Sequence, residues 1–85
     1  MLSFTHTITD PAGMHARPAG LLAKCTQKCS STVNISLNGK TADAKRLFAV
    51  MGLGAKQNDV LSFTVTGESE AADCAAIEAF CKENL

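Results

Sequence analysis

The sequence predicts an α+β fold in which a four-stranded sheet is covered on one face by helices. Three observations point to it. Apolar residues alternate with polar ones in three separate runs, helical spacing appears between and after them, and an Asn-Gly pair marks a tight hairpin that supplies the fourth strand.

In chain order, Leu2, Phe4, His6 and Ile8 alternate with Ser3, Thr5, Thr7 and Thr9, which predicts a strand with one face inward. Asp10-Pro11-Ala12-Gly13 breaks it. From Ala16 to about Lys28 the spacing of Leu21, Leu22, Cys25 and Cys29 is helical. Val33, Ile35 and Leu37 then alternate with Thr32, Asn34 and Ser36 in a second strand. Asn38-Gly39 suits a type I′ turn, which needs positive φ at both central residues, and folds Lys40 to Asp43 back as a third strand. Arg46 to Met51, closed by Gly52 and Gly54, predicts one or two helical turns. Lys56 to Asp59 forms a polar turn, and Val60 to Thr66 is a fourth strand with Leu61, Phe63 and Val65 on one face. Gly67 ends it, and Ser69 is a candidate N-cap for a last helix carrying Cys74, Ile77, Phe80 and Cys81. The order is β-α-β-β-α-β-α. Strands with one apolar face need a single cover, and the two longer helices can supply it.

Composition narrows the function classes. A chain of 85 residues has room for one core, so a single domain over 1–85 is expected. Eight Lys plus Arg balance eight Asp plus Glu, which argues against a nucleic-acid binder. No apolar run approaches the ~20 residues that span a bilayer, and the start lacks a signal-peptide pattern. A cytoplasmic location is therefore expected, where the four cysteines stay reduced. Cys25 and Cys29, one helical turn apart, have Cβ atoms at about 5–6 Å, beyond the about 3.5–4.5 Å of a disulfide. Cys74 and Cys81, two turns apart, cannot pair within their helix. Small core hydrophobes are the expected role for all four, with a zinc or redox site as the alternative.

The chemistry sits in Gly13-Met14-His15-Ala16-Arg17-Pro18, a histidine at the junction of a turn and a helix start. Pro18 belongs to the first helical turn, where a missing N–H breaks no helix bond. The positive helix end favours an uncharged imidazole, the state a nucleophile requires, and the same N–H groups can then bind phosphate oxygens. Arg17 can add a charge-assisted contact. His6, by contrast, is expected to be a satisfied group on the inward face of its strand.

With these motifs in register, the chain resembles the HPr family, the histidine-containing phosphocarriers of the bacterial phosphoenolpyruvate-dependent sugar phosphotransferase system. The resemblance extends through Asn38-Gly39-Lys40, through Ala44 to Phe48 and Met51 to Gly54, and through Gly67 to Glu70. It implies an open-faced β-sandwich with an antiparallel sheet. It implies a stoichiometric relay, not an enzyme, in which enzyme I phosphorylates His15 on Nδ1 and enzyme IIA domains receive the group. By the same resemblance Arg17 assists phosphate binding, and the backbone N–H groups of Ala16 and Arg17 contact it. Leu47, Phe48 and Met51, with Gly20 and Lys24, would form a docking surface. A short helix has little interior in which to hide three apolar side chains, and Phe48 is the one expected to be exposed. The carrier is expected to be monomeric, to need no cofactor or metal, and to reach membrane permeases only through its partners. The alternative is an HPr-like regulatory binding protein without phosphoryl exchange.

Arg46 departs from the resemblance. Many family members carry there a serine that a dedicated kinase modifies, and Arg46 has no hydroxyl to accept a phosphate. A cation at a helix N-terminus costs about 0.3–1 kcal/mol at exposed sites, so a role in attracting an acidic partner is a hypothesis with drift as its alternative. Gly20 also costs roughly 0.5–1 kcal/mol relative to Ala inside a helix.

Overall fold

A computed structural model describes residues 1–85. The elements are β1 (Leu2–Thr7), α1 (Ala16–Gln27), β2 (Thr32–Leu37), β3 (Lys40–Asp43), α2 (Leu47–Gly52), β4 (Val60–Thr66) and α3 (Glu70–Asn84). This is the predicted order. The strands form one antiparallel sheet in the order β1-β4-β2-β3.

Period-two patterning decides the two faces. Phe4 lies opposite Phe63, Phe63 opposite Ile35, and Ile35 opposite Ala42, so one apolar row crosses the whole sheet. Phe63 and Ile35 are fully buried beneath the helices, and burial of each such side chain is worth about 1.5–3 kcal/mol. The Phe4 and Phe63 rings stack with centroids 4.8 Å apart. The opposite face carries Ser3, Thr5, Asn34, Ser36, Ser62 and Thr64, which suits the side that no helix covers. Between β2 and β3 the turn residues Asn38 and Gly39 take φ of 50° and 83°, as the type I′ reading requires.

The first helix matches its expected bounds, with Lys28 as its C-cap. It ends at Gln27, so Cys29 lies in the following turn, although its side chain still joins the core. Leu21, one of the residues that carry the helical spacing, is 41% exposed. The inward stripe is Ala19, Leu22, Ala23 and Thr26, spaced at three and four residues. Thr26 is fully buried because its hydroxyl donates to the Ala44 carbonyl at 2.7 Å, tying α1 to the segment that leads into α2.

Strand β1 stops at Thr7, and the next residues leave the sheet through other partners. The Ile8 N–H donates to the Asp59 carbonyl and its own carbonyl accepts the Asn58 N–H, while the Ile8 side chain stays fully buried. The Thr9 N–H and hydroxyl both donate to the Leu85 carbonyl, at 2.7 and 3.1 Å, so the end of α3 is laced to the segment leading into residue 10. His6 points inward as predicted, yet its Nε2 is buried without a hydrogen-bond partner.

Ser69 precedes α3, but its hydroxyl does not cap the helix backbone. It donates to the Asp73 carboxylate at 3.0 Å, which also accepts the Ser31 hydroxyl at 2.6 Å and the Ser31 N–H at 3.1 Å. The hydrogen bond from the Ser31 side chain leads in holding the Asp73 carboxyl below its ordinary range. The four cysteines are unpaired. Burial pushes the Cys81 thiol up to about 12, which fits an inert core group. No helix is long and apolar enough to cross a membrane.

Candidate functional site

The segment before His15 is held by turn chemistry and by a close backbone approach. Oδ1 of Asp10 accepts the Ala12 N–H at 2.9 Å, and the Asp10 carbonyl accepts the Gly13 N–H at 2.9 Å. Gly13 then takes φ of +67°, and a Cβ there would stand 2.6 Å from the Ala55 carbonyl oxygen and 2.8 Å from the Lys56 Cα. Only glycine fits without shifting the neighbouring backbone. The Met14 N–H donates to that same Ala55 carbonyl at 2.9 Å, and the Met14 side chain is buried. The chain is therefore fixed on both sides of its last turn before the histidine.

His15 is the N-cap residue of α1, with extended φ and ψ of −103° and −174° and no side-chain capping bond. Its carbonyl accepts the Ala19 N–H at 3.0 Å, which closes the first helical turn. The N–H groups of Ala16 and Arg17, the first two of the helix, have no partner in the molecule. Pro18, the next residue, has no N–H to leave unsatisfied and is buried. The imidazole is thus free to turn toward a ligand, while two amide donors wait at the same helix end.

His15 and Arg17 share an open cleft of about 260 Å³ with Asp10, Pro18, Leu21, Glu83 and Asn84. Four of these contributors were not anticipated. Leu21 supplies an apolar wall beside the histidine, and Glu83 and Asn84 arrive from the far end of α3. The fourth is Asp10, whose Oδ2 lies 3.8 Å from His15 Nε2. A ring facing only positive helix amides is therefore an incomplete picture, because a carboxylate flanks its other side. The available signal was the Asp-Pro-Ala-Gly turn itself, since an aspartate that opens such a turn is carried back toward the residues that follow it.

The other candidate residues lie on α1 and α2, which pack against each other. Phe48 is 82% exposed, whereas Leu47 and Met51 are half-buried against the core. Arg46, Leu47, Phe48 and Ala49 line a second hollow, separate from the His15 cleft. Arg46 is exposed at the N-cap of α2 and makes no salt bridge or side-chain hydrogen bond. Lys24 is exposed in the last turn of α1, and a Cβ on Gly20 would meet nothing within 4 Å.

Residues 2–83 match the family described as PTS HPr component phosphorylation site. The chain belongs to the HPr family. The phosphocarrier protein HPr of Buchnera aphidicola subsp. Baizongia pistaciae is 46% identical over 63 residues, which cover 74% of each chain. Among solved structures, a histidine-containing phosphocarrier protein of Mycoplasma superposes with a TM-score of 0.93 at 32% identity, covering 96% of this chain and 93% of that one. HPr-C-His from Thermoanaerobacter tengcongensis superposes with a TM-score of 0.92 at 28% identity, covering 99% and 94%. The sheet with three helices on one side is the open-faced sandwich of these HPr structures. Family membership brings with it a phosphocarrier role in the phosphotransferase system.

Proposed function

We propose that residues 1–85 act as one cytoplasmic carrier domain that accepts a phosphoryl group on His15 from phosphorylated enzyme I and passes it to enzyme IIA domains. The observation that carries this reading is the pairing of an exposed imidazole with the two unpartnered N–H groups of Ala16 and Arg17 at one helix start. A neutral ring nitrogen supplies the nucleophile, the amides and the Arg17 guanidinium receive the phosphate oxygens, and Gly13 fixes the approach of the chain. The carrier is consumed and regenerated stoichiometrically, so it is a relay and not an enzyme. It works as a monomer and touches membrane permeases only through its partners.

Docking falls to the exposed Phe48 with the outer edges of Leu47 and Met51, and to Gly20 and Lys24 on α1. Arg46 offers no hydroxyl for serine-directed control. Incubation with phosphoenolpyruvate and enzyme I tests the relay. Intact-protein mass should rise by one phosphoryl group in an acid-labile form, and His15→Ala should show no gain. A phosphate that persists in His15→Ala, or none on the unaltered protein, overturns the assignment.

A further inference from the structure

We propose that Asp10 is a positioning residue for His15, holding a proton on Nε2 so that Nδ1 is the nucleophile and remains a good leaving group after transfer. This inference rests on the relay reading and adds to it a residue that acts through the imidazole and not on the phosphate.

The carboxylate is built into place. Oδ1 is spent on the Ala12 N–H at 2.9 Å, the Asp10 carbonyl accepts the Gly13 N–H, and the Asp10 N–H lies 3.4 Å from the Leu85 carbonyl. Oδ2 is left, and it faces His15 Nε2 at 3.8 Å. That gap is somewhat longer than a hydrogen bond. Both side chains are partly exposed, at 45% for His15 and 36% for Asp10, so a modest rotation closes it. Such pairs are often long in the free state and tighten in the working complex. The other charged groups that line the cleft are Arg17 and Glu83, and neither forms an ion pair with Asp10 or His15.

The hydrogen bond at one ring nitrogen decides what the other can do. A carboxylate at Nε2 favours the Nε2–H tautomer, which leaves the lone pair on Nδ1. Nδ1 attacks the phosphorus of the donor phosphohistidine, the N–P bond of the donor breaks, and its electron pair returns to the donor ring. The product is a phosphoimidazolium that keeps its Nε2 proton, with Asp10 as counter-charge. In the next transfer the N–P electrons return to Nδ1 and neutral imidazole leaves. No proton has to move in either direction. Without the Nε2 proton the leaving group would be an imidazolate, which is far poorer.

Asp10→Asn provides the sharpest test. Its amide oxygen can keep the Ala12 contact while its NH₂ faces Nε2, so the fold is retained and the donor sense is reversed. In ¹⁵N-labelled, unphosphorylated protein, above the range in which imidazoles titrate, His15 of the unaltered chain should carry its proton on Nε2. Asp10→Asn should move proton density toward Nδ1, and phosphoryl uptake should slow roughly tenfold at unchanged melting temperature. Asp10→Ala, which adds no competing donor, should lengthen the life of the isolated phosphohistidine several-fold. Unchanged ring-nitrogen shifts together with unchanged rates would overturn the proposal, and so would faster uptake in Asp10→Asn, which would make Asp10 an electrostatic brake. Failure of the unaltered protein to take up phosphate would instead sink the relay reading, while the nitrogen shifts would still report the Asp10 contact.

Discussion

At the scale of single residues, the site depends on conformations that few side chains tolerate. Gly13 combines positive φ with a Cβ direction blocked by the 55–56 backbone. Gly13→Ala should therefore cost about 2–3 kcal/mol of stability, read from urea midpoints, and reduce phosphoryl uptake because His15 is displaced with the turn. His6 shows the opposite case. Its Nε2 is buried without a partner, and a ring that never reaches the cleft contributes nothing to the relay. His6→Phe should keep or raise the melting temperature and leave uptake of phosphate on His15 intact. The sequence distinguished these two histidines by context, one on an alternating strand and one at a helix start. It could not show that His6 is unsatisfied, because that depends on how α3 lies across β1. Asp10 escaped for a related reason: alternation marks where a strand stops, not which way the next side chain turns.

Among the elements, α1 and α2 divide the work between fold and surface. The inward stripe of α1 needs nothing from Gly20, whose missing Cβ would enter open space. Gly20→Ala should raise stability by about 0.5–1 kcal/mol in denaturant titration. Slower transfer to or from a partner despite that gain would show that the gap is used for docking. On α2, Phe48 contributes little to the core, so Phe48→Ala should change stability by no more than about 0.5 kcal/mol while raising the KM of enzyme I for the carrier. Arg46 is unpaired at the start of the same helix, and Arg46→Ser should flatten the salt dependence of transfer if its partner surface is acidic. The strands and the hairpin were legible because alternation and Asn-Gly act locally. The position of Leu21 was not, since the helical spacing is compatible with a stripe centred on either side of Leu22, and tertiary packing placed Ala23 inward and Leu21 at the edge.

For the whole molecule, the end of α3 braces the segment that leads into the candidate site. The Leu85 carbonyl receives the Thr9 N–H and hydroxyl, and Glu83 and Asn84 line the cleft. At the other end of α3, the Asp73 carboxylate ties the helix start to Ser31. Its folded-state affinity for protons is lowered, first by the Ser31 hydroxyl, so its contribution to stability is complete above the unfolded carboxyl range. That contribution drains away as pH falls through the folded value, roughly from pH 5 downward. Asp73→Asn should lower stability near neutrality and weaken its acid dependence in urea titrations across that window. The inward facing of Phe4, Phe63 and Ile35 follows from alternation, but their alignment with Ala42 in one row rests on a strand order that alternation does not carry. The lacing of residue 9 to residue 85 was not legible either, because partners so far apart in sequence leave no local signal.

The site of phosphorus attachment in ¹⁵N-histidine-labelled protein, after incubation with phosphoenolpyruvate and enzyme I, decides whether His15 carries the phosphoryl group. A ³¹P–¹⁵N coupling to Nδ1 of His15 is the predicted result. Phosphorus on His6, on Nε2 of His15, or on no histidine at all would contradict it.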